Sequence, residues 1–280
     1  MIFIRDQLNP DYRLGNQLFS YNLLRQIATA AHVPYAHPPF RERRWFKDME
    51  GTCERPKDVA DALKLTQREL LDRDREELLG TISQLEKDSR DVELVQPILG
   101  DTFFRYSMID PNELIRMRRQ YRSHGVVKPE RKQVAVHFRG NDFFRWDPRA
   151  VLNFEYYRNA LELCVADVKG SLPVIRLFTD DPHLEAYKSL VAHIRSNYPG
   201  LKTIRGMRLG NPLVDLWQMG QCDYLISTPS TFAFWGGVFG KPKKIVQSKQ
   251  WIEQQILDGV VFWKEMVGSR LPCYSIWRQV

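Results

Sequence analysis

The sequence predicts an α/β protein whose second part forms a parallel, doubly wound sheet. From residue 133 onward, short apolar segments typical of buried strands alternate with longer segments of helical periodicity. Several of the apolar segments run directly into polar residues. Strands that alternate with helices are joined by right-handed crossovers, which cover both faces of a parallel sheet. Ligands bind such sheets beyond the carboxyl ends of the strands, so we expect the functional site there.

The first part of the chain is predicted to be a separate domain. A short strand at residues 1–5 precedes a helix that begins near Gly15. Residues 38–101 are charged and aromatic, and we expect helices with irregular connections there, before a basic helix that begins at Pro111. Glycine, proline and charge make 124–132 the best linker. The predicted domains are 1–128 and 129–250, with a segment 251–280 that packs back toward the first domain.

The second part is predicted to contain five strands and four helices. The strands are expected at 133–138, 174–180, 201–205, 223–228 and 243–247, and the helices at 154–168, 182–196, 212–221 and 230–240. The chain is long enough for two ordinary domains, and its hydrophobic fraction of 43% is enough to fill their cores.

Charge and cysteine content narrow the class of function. A net charge of +7 favours an anionic ligand, an anionic membrane surface or nucleic acid. The four cysteines are scattered without a C-x-x-C pair, so they indicate neither a zinc site nor a disulfide framework. No signal peptide and no run of about 18 apolar residues is visible, and we expect a soluble, cytoplasmic protein. Nucleic-acid binding has only charge in its favour, because interleaved aromatic residues and a known fold motif are missing.

Three predicted strands end in polar residues that can converge on one cleft. His137 and Arg139 follow the first strand, FTDD at 178–181 ends the second, and ISTPST at 226–231 joins a strand to a helix. The guanidinium of Arg139 suits a phosphate, and the alternative is a surface salt bridge with Asp142. His137 is a core histidine, a base or a donor to a ligand.

The remaining polar positions also have two readings each. Ser230 and Thr231 begin a helix, where they can bind an anion or serve only as an N-cap. Asp180 and Asp181 precede Pro182, and a helix cap is expected of at least one of them. Asp215 lies among apolar helix positions, so its carboxylate needs a helix terminus or the N–H groups of a ligand as partner.

Four segments in this order carry a resemblance to a known family: RLGNQLFSYNLLRQIA, VAVHFRGNDF, FTDD and DLWQMGQCDYLISTPSTFAFWG. They resemble the alpha-1,2-fucosyltransferases of glycosyltransferase family 11 and, more distantly, the alpha-1,6- and protein O-fucosyltransferases. The resemblance covers nearly the whole chain and is weak between residues 40 and 130. It implies a GT-B-type fold of two Rossmann-like domains facing a cleft, and an inverting, metal-independent transfer of fucose from GDP-fucose.

The resemblance also implies roles for single residues. Arg139 matches an arginine on the donor pyrophosphate, His137 and Asp215 match positions at the nucleoside, and Ser230 and Thr231 match hydroxyls near the phosphates. Asp181 of FTDD is counted with these donor-binding positions, as are Gly15 and Asn16 of the first-domain loop. Where the family often has a second arginine, this chain has Gly140. This difference concerns the donor, which is GDP-fucose or another GDP-sugar. The segment that leads into the first helix, NPDYRLGN, is longer than in the family, and this difference concerns binding of the acceptor.

The mechanism expected from this resemblance needs a base and no metal. Asp147 is the first candidate base and Asp142 the second, while some members use no protein base. No D-x-D-like pair lies where the metal site of a GT-A enzyme would need it; TDD is the nearest sequence there and is interpreted as a cap. The expected acceptor is an oligosaccharide or a lipid-linked glycan, and the basic clusters at 41–44 and 116–122 can contact anionic lipid at the inner membrane face. The alternatives are a transferase for another GDP-sugar and a non-catalytic nucleotide-sugar or glycan-binding protein.

Overall fold

The computed structural model describes residues 1–4, 14–37, 61–66, 69–70, 73–95, 111–120, 132–170, 172–205, 212–240, 242–259 and 276–280. These residues fall into two compact units. The first unit holds the described residues up to position 120 together with Gly259, and the second unit holds those from 132 to 258 and from 276 to 280.

The first unit is built on a small parallel sheet. Its elements in chain order are β1 (Ile2–Phe3), α1 (Leu14–Ala31), β2 (Tyr35–Ala36), β3 (Leu63–Thr66), α2 (Arg75–Lys87), β4 (Val92–Val95) and α3 (Pro111–Gln120). The strands pair in parallel in the order β2-β1-β4-β3. Helix α1 is buried along most of its length, including the side chains of Asn22 and Arg25. The side chain of Asp74 caps α2 by accepting from two backbone N–H groups.

The second unit contains a larger parallel sheet. Its elements are β5 (Gln133–Phe138), α4 (Phe143–Trp146), a 3-10 turn (Pro148–Ala150), α5 (Phe154–Asp167), β6 (Val174–Thr179), α6 (Glu185–Asn197), β7 (Lys202–Arg205), α7 (Pro212–Gly220), β8 (Tyr224–Ile226), α8 (Thr231–Gly240), β9 (Lys244–Gln247), α9 (Lys249–Leu257) and β10 (Ile276–Gln279). All neighbouring strands pair in parallel.

The strand order of this sheet is β10-β9-β8-β5-β6-β7, which is the order of a Rossmann sheet. The chain leaves β5 toward one edge through β6 and β7, then returns through α7 to β8 on the other side of β5. The topological switch point therefore lies between β5 and β8. Open α/β sheets bind their ligands in the crevice at this point, outside the carboxyl ends of the strands.

The helices pack on both faces of the second sheet. On one face, the ring of Phe138 contacts Tyr157 of α5 and Tyr187 of α6. On the other face, the ring of His137 lies against Phe232 of α8. Because a helix that follows a parallel strand runs back antiparallel to it, α7 and α8 both begin at the carboxyl edge of the sheet.

The far ends of α7 and α8 meet through two glycines. Gly220 is the last residue of α7 and Gly240 the last of α8. A Cβ atom at position 240 would lie 1.7 Å from the Cα of Gly220, and one at position 220 would lie 2.4 Å from the Cα of Gly240. Neither position accommodates a side chain without separating the two helices, because both contacts are with backbone atoms.

The α/β prediction and the parallel, doubly wound second sheet are confirmed, and all five strands and four helices predicted there are present. The helices predicted at Gly15 and Pro111 are also confirmed. In the first unit the helical structure predicted for 38–101 is present in α2, but β3 and β4 also lie there and were not predicted. Their apolar residues Leu65 and Leu94 are buried, and each follows a charged residue, Lys64 or Glu93, that weakens the strand pattern.

The structure describes two parts of the segment 251–280, namely 251–259 and 276–280. Strand β10 pairs in parallel with β9 at the edge of the second sheet. The packing of this segment toward the first domain stays a prediction. Helix α9 begins directly after β9, where the side chain of Ser248 caps it by accepting from the Trp251 N–H. The rest of this segment, like the predicted linker up to residue 131, lies outside the described residues. The domain limits of 128 and 250 stay a prediction.

Candidate functional site

Arg139 lies at the carboxyl end of β5 and is held by two carboxylates. Its Nη1 is 2.9 Å from Oδ2 of Asp180, and its Nη2 donates to Oδ2 of Asp142 at 2.9 Å. The Arg139 side chain is 11% exposed and that of Asp142 is 50% exposed. The guanidinium also lies 4.9 Å from the ring centre of Phe143. The salt bridge with Asp142 therefore exists, but it involves only Nη2 of the guanidinium. Nη1 is bound by Asp180, and the whole group lies at the carboxyl end of the sheet.

Asp180 organises the segment after β5. Its Oδ1 accepts from the Gly140 backbone N–H at 3.0 Å, while Oδ2 pairs with Arg139. Its backbone oxygen accepts from the Asn141 side-chain amide at 2.8 Å. One residue at the end of β6 thus holds three consecutive residues after β5. The sequence offered two adjacent aspartates in FTDD, and Asp180 was not among the predicted site residues.

The backbone between Arg139 and α4 makes a tight turn. Asn141 has a φ of 40°, in the left-handed region that asparagine tolerates better than most residues. A Cβ atom at Gly140 would lie 3.2 Å from the Cβ of Asp181. A larger residue at 140 would therefore require Asp181 to shift.

His137 joins the two sides of the switch point. Its Nδ1 lies 2.7 Å from the Oγ1 of Thr228, which follows β8, and its ring centre lies 5.8 Å from that of Phe232. Burial, with a smaller contribution from the charge of Arg139, lowers the pKa of His137 to about 3. The imidazole is therefore neutral at physiological pH, where it can serve as a hydrogen-bonding group but not as a cation.

The segment between β8 and α8 supplies buried hydroxyls and a helix N-terminus. The Ser230 hydroxyl accepts from the Phe232 N–H at 3.2 Å, so this serine is an N-cap. Thr231 is the first residue of α8 and is partly exposed. The Tyr156 hydroxyl donates to the Ser227 backbone oxygen at 2.6 Å and fixes the start of the segment. Ser230 therefore serves as the N-cap of α8, and Thr231 is its first residue.

Asp215 lies in the first turn of α7, among the buried residues Leu213, Leu216 and Met219. Burial raises the pKa of Asp215 to about 6. Its Oδ1 is buried and has no hydrogen-bond partner among the described residues. Buried polar atoms in folded proteins are nearly always paired, so this carboxylate oxygen fits the N–H group of a ligand.

Two further predicted residues have structural roles in the second unit. Oδ1 and Oδ2 of Asp147 accept from the Arg149 side chain at 3.0 and 2.8 Å, and Oδ1 also caps the turn that follows. The hydrogen bonds from Arg149 lower the pKa of Asp147. Oδ1 of Asp181 accepts from the His183 N–H at 2.8 Å and closes a turn before α6. These bonds argue against Asp147 as a base. The helix cap predicted for Asp180 or Asp181 is not formed, because α6 begins at Glu185 after Leu184, and Asp181 closes the preceding turn instead.

The structure brings His137, Arg139, Ser230 and Thr231 to the carboxyl ends of β5 and β8, and α7 begins at the same edge near Asp215. Gly15 and Asn16 lie in the first turn of α1, in the first unit. We call His137, Arg139, Asp142, Asp180 and Thr228 the strand-end cluster. It combines one guanidinium, two carboxylates and a neutral imidazole beside a helix N-terminus, a set of groups that can bind an anion at one end and donate or accept hydrogen bonds at the other.

The described part of the chain holds neither a metal-binding cluster nor a membrane-spanning helix. There, no three histidine, cysteine, aspartate or glutamate side chains gather closely enough to hold a metal ion. None of the helices in the same ranges has the length and apolar character needed to cross a bilayer.

Comparisons with known proteins give structural neighbours only. No family model matches the sequence, and no curated protein matches it. A mutant of Arabidopsis thaliana FUT1 in complex with GDP aligns with a TM-score of 0.48 at 11% identity, over 88% of this chain and 69% of that one. NodZ alpha-1,6-fucosyltransferase soaked with GDP-fucose aligns with a TM-score of 0.41 at 12% identity, over 85% of this chain and 91% of that one. Fucosyltransferase NodZ from Bradyrhizobium gives 0.40 at 11% identity, over 84% and 91%. The function of this chain has to be inferred from its own residues.

Proposed function

We propose that the protein is an inverting, metal-independent glycosyltransferase that moves L-fucose from GDP-fucose to a sugar hydroxyl of a glycan or glycolipid precursor, with an alpha-1,2 linkage. The observation that carries this proposal is the placement of Arg139 at the switch point of a Rossmann sheet, with Asp180 holding its guanidinium. The sequence motifs shared with fucosyltransferases support the choice of donor. The first unit, proposed as residues 1–128, binds the acceptor, with Gly15 and Asn16 in the first turn of α1.

The donor pyrophosphate binds between Arg139 and the N-terminus of α8. Arg139 Nη2 is bound by Asp142, whose side chain is half exposed, while Nη1 is bound by the less exposed Asp180. A pyrophosphate oxygen replaces the exposed carboxylate on Nη2 and leaves the Asp180 contact in place. Thr231 and the N-terminus of α8 take further phosphate oxygens, since helix N-termini favour anions.

The guanine base binds at Asp215. A carboxylate can accept both the N1–H and the 2-amino group of guanine, and adenine offers no such pair of donors in that position. The buried Oδ1 of Asp215 lacks a partner among the described residues, as expected of a group that awaits a ligand. His137 and Thr228 contribute neutral hydrogen-bonding groups at the nucleoside side of the same edge.

Bond cleavage places negative charge on the leaving GDP, and Arg139 stabilises that charge without a metal. The donor also releases the Asp142 carboxylate from Arg139, so Asp142 becomes available to take the proton of the acceptor hydroxyl as the new bond forms. Asp147 is the weaker candidate base, since Arg149 occupies both of its oxygens. Asp181 contributes by fixing the turn that Gly140 packs against.

A panel of GDP- and UDP-sugars tests this proposal. Release of GDP, and transfer to a glycan acceptor from a screen, is expected with GDP-fucose in the wild type and lost in Arg139→Ala. Arg158→Ala is the matched control, because Arg158 lies on the solvent face of α5 in the same unit. Turnover with another GDP-sugar in place of GDP-fucose would reassign the donor sugar. Binding of GDP-fucose without GDP release under any acceptor would instead indicate a non-catalytic binding protein.

A further inference from the structure

Helix α4 exposes two large aromatic side chains at the edge of the strand-end cluster. Phe144 is 51% exposed and Trp146 is 60% exposed. Within the described ranges, the other large apolar residues that are exposed are all aliphatic and lie on or next to other elements, namely Leu163, Leu172, Ile256 and Leu257. Exposed aromatic surface of this kind marks a binding site more often than a single exposed leucine does. We call Trp146 and the ring that it contacts on the same helix, Phe143, the aromatic platform.

The ring of Trp146 is held in one orientation although its surface is exposed. Its centre lies 5.0 Å from the ring of Phe143 and 6.0 Å from the ring of Trp251. Trp251 is 2% exposed and is anchored by the Ser248 cap of α9. A ring that is already fixed by its neighbours loses little conformational freedom when a ligand packs on it, so the contact retains most of its binding free energy.

The aromatic platform is continuous with Arg139. The guanidinium carbon of Arg139 lies 4.9 Å from the ring centre of Phe143, and Phe143 is the ring that contacts Trp146. Asp142 immediately precedes α4. In the proposed reaction the acceptor hydroxyl attacks the carbon that is bonded to the pyrophosphate, so the acceptor lies beside the group that Arg139 binds.

From this continuity we infer that the aromatic platform binds the acceptor sugar by stacking on the C–H face of a pyranose ring. The inference rests on the proposed function. A pyranose presents hydroxyls at its edge and C–H groups on its face, and an exposed indole next to a carboxylate matches both. The ring packs on Trp146, and a hydroxyl at its edge reaches Asp142, which lies four residues earlier on the same side of α4.

A lipid surface fits this patch less well. Aromatic residues that bind anionic membranes act together with free basic side chains, each of which adds to the attraction. Arg149, the second basic residue near α4, is neutralised by Asp147 at 2.8 Å and Asp258 at 3.0 Å. Among the described residues 142–149, Arg145 is then the basic side chain available for lipid phosphate, and it lies between Phe144 and Trp146 in the sequence.

The test uses the full-length protein with GDP and three probes: the methyl glycosides of β-galactose, β-glucose and α-mannose. Saturation-transfer NMR is expected to show contact between the protein and the ring C–H protons of at least one glycoside. Trp146→Ala should weaken that binding about tenfold, and Trp146→Phe should retain most of it because a flat ring remains. Leu163→Ala is the control, since Leu163 is an exposed apolar residue on α5, outside the aromatic platform.

The outcomes separate this inference from the proposed donor site. GDP should raise the melting temperature of Trp146→Ala as much as that of the wild type, because Trp146 does not contact the donor in the proposed arrangement. Absence of that shift in the wild type refutes the proposed function, whatever the glycosides do. A normal GDP shift with no contact to any glycoside, or with equal contact in Trp146→Ala, refutes the aromatic platform. Sedimentation of the wild type but not Trp146→Ala with phosphatidylcholine–phosphatidylglycerol vesicles would replace it with membrane binding.

Discussion

The Nδ1 atom of His137 lies 2.7 Å from the hydroxyl oxygen of Thr228, so a buried hydrogen bond joins the ends of β5 and β8 across the topological switch point. The two strands are neighbours in the sheet, but the chain passes through β6 and β7 between them. This bond closes one wall of the crevice in which such sheets bind ligands. It also makes His137 a structural group of the strand-end cluster, and that assignment has a pH dependence that can be measured.

The stability of the protein should fall in mild acid because of His137. Its folded-state pKa is lowered to about 3, whereas the unfolded chain takes up the proton near its ordinary pKa of about 6.5. The unfolded state therefore binds more protons between these values, and stability is lost as pH falls through this window. Between about pH 7 and about pH 5 the free energy of unfolding should drop by about 2 kcal/mol more in the wild type than in His137→Gln. Urea unfolding at both pH values measures it, and equal drops in the two proteins would contradict the assignment.

Arg139 should be required for turnover and not for folding. Arg139→Ala removes a donor whose contact with the pyrophosphate strengthens in the transition state, so kcat should fall about a hundredfold or more. Arg139→Lys should not restore full activity, because lysine lacks the planar two-pronged geometry. Steady-state kinetics beside melting curves give the result. A folded Arg139→Ala enzyme with nearly normal kcat would show that the pair with Asp142 is an ordinary surface salt bridge.

Asp180 should matter more than the adjacent Asp181. Asp180→Asn removes the ion pair with Arg139 Nη1, and kcat should fall about thirtyfold, which corresponds to the loss of one charged hydrogen bond. Asp181→Asn leaves an oxygen for the His183 N–H and should have little effect on kcat. When Asp180→Asn is added to Arg139→Ala, kcat should fall little further, because both residues act through one contact. Additive losses in this double variant would separate the two residues.

GDP should stabilise the protein more than UDP does, and the difference should depend on Asp215. Ligand at about a hundred times its dissociation constant adds roughly 2.7 kcal/mol to the unfolding free energy. Burial holds the pKa of Asp215 at about 6 in the free protein, so below that pH GDP has to bind the protonated form and its affinity should weaken. Asp215→Asn should bind GDP more weakly and lose this pH dependence. Equal melting shifts with GDP and UDP would refute the guanine site.

Chelation should leave activity intact, because Arg139 and the N-terminus of α8 neutralise the pyrophosphate in the proposed mechanism. Transfer rates measured with EDTA and after addition of Mn²⁺ or Mg²⁺ should agree. Activity that disappears with EDTA and returns with either ion would make the FTDD carboxylates metal ligands instead of organisers of Arg139.

The second sheet could be predicted from the sequence because its central strands are buried on both faces. QVAVHF reads as an apolar run that ends in polar residues, and β5 has the predicted bounds of 133 and 138. The position of His137 and Arg139 at the carboxyl end of this strand could be predicted for the same reason. The choice between Asp180 and Asp181 could not be predicted, since the two carboxylates share one turn and only the pairing with Arg139 and Gly140 separates them.

Elements without a periodic pattern of their own were missed. Strand β10 is four residues long and only partly buried, and it forms because the edge of β9 offers it a parallel partner. Helix α4 is also four residues long, too short for a helical period, so the exposure of Phe144 and Trp146 becomes visible only in the structure. The free Oδ1 of Asp215 is different, because the sequence already required a partner for a carboxylate among buried apolar residues.

The contact between Gly220 and Gly240 has a consequence for how ligand length is discriminated. It locks α7 and α8 together at their far ends, and each helix then runs a fixed length of nine or ten residues toward the carboxyl edge of the sheet. The proposed base-binding carboxylate of Asp215 and the proposed phosphate-binding end of α8 therefore stand at a set separation. In the proposed binding mode a ligand has to reach both groups, so we expect GMP, which lacks the second phosphate, to bind more weakly than GDP.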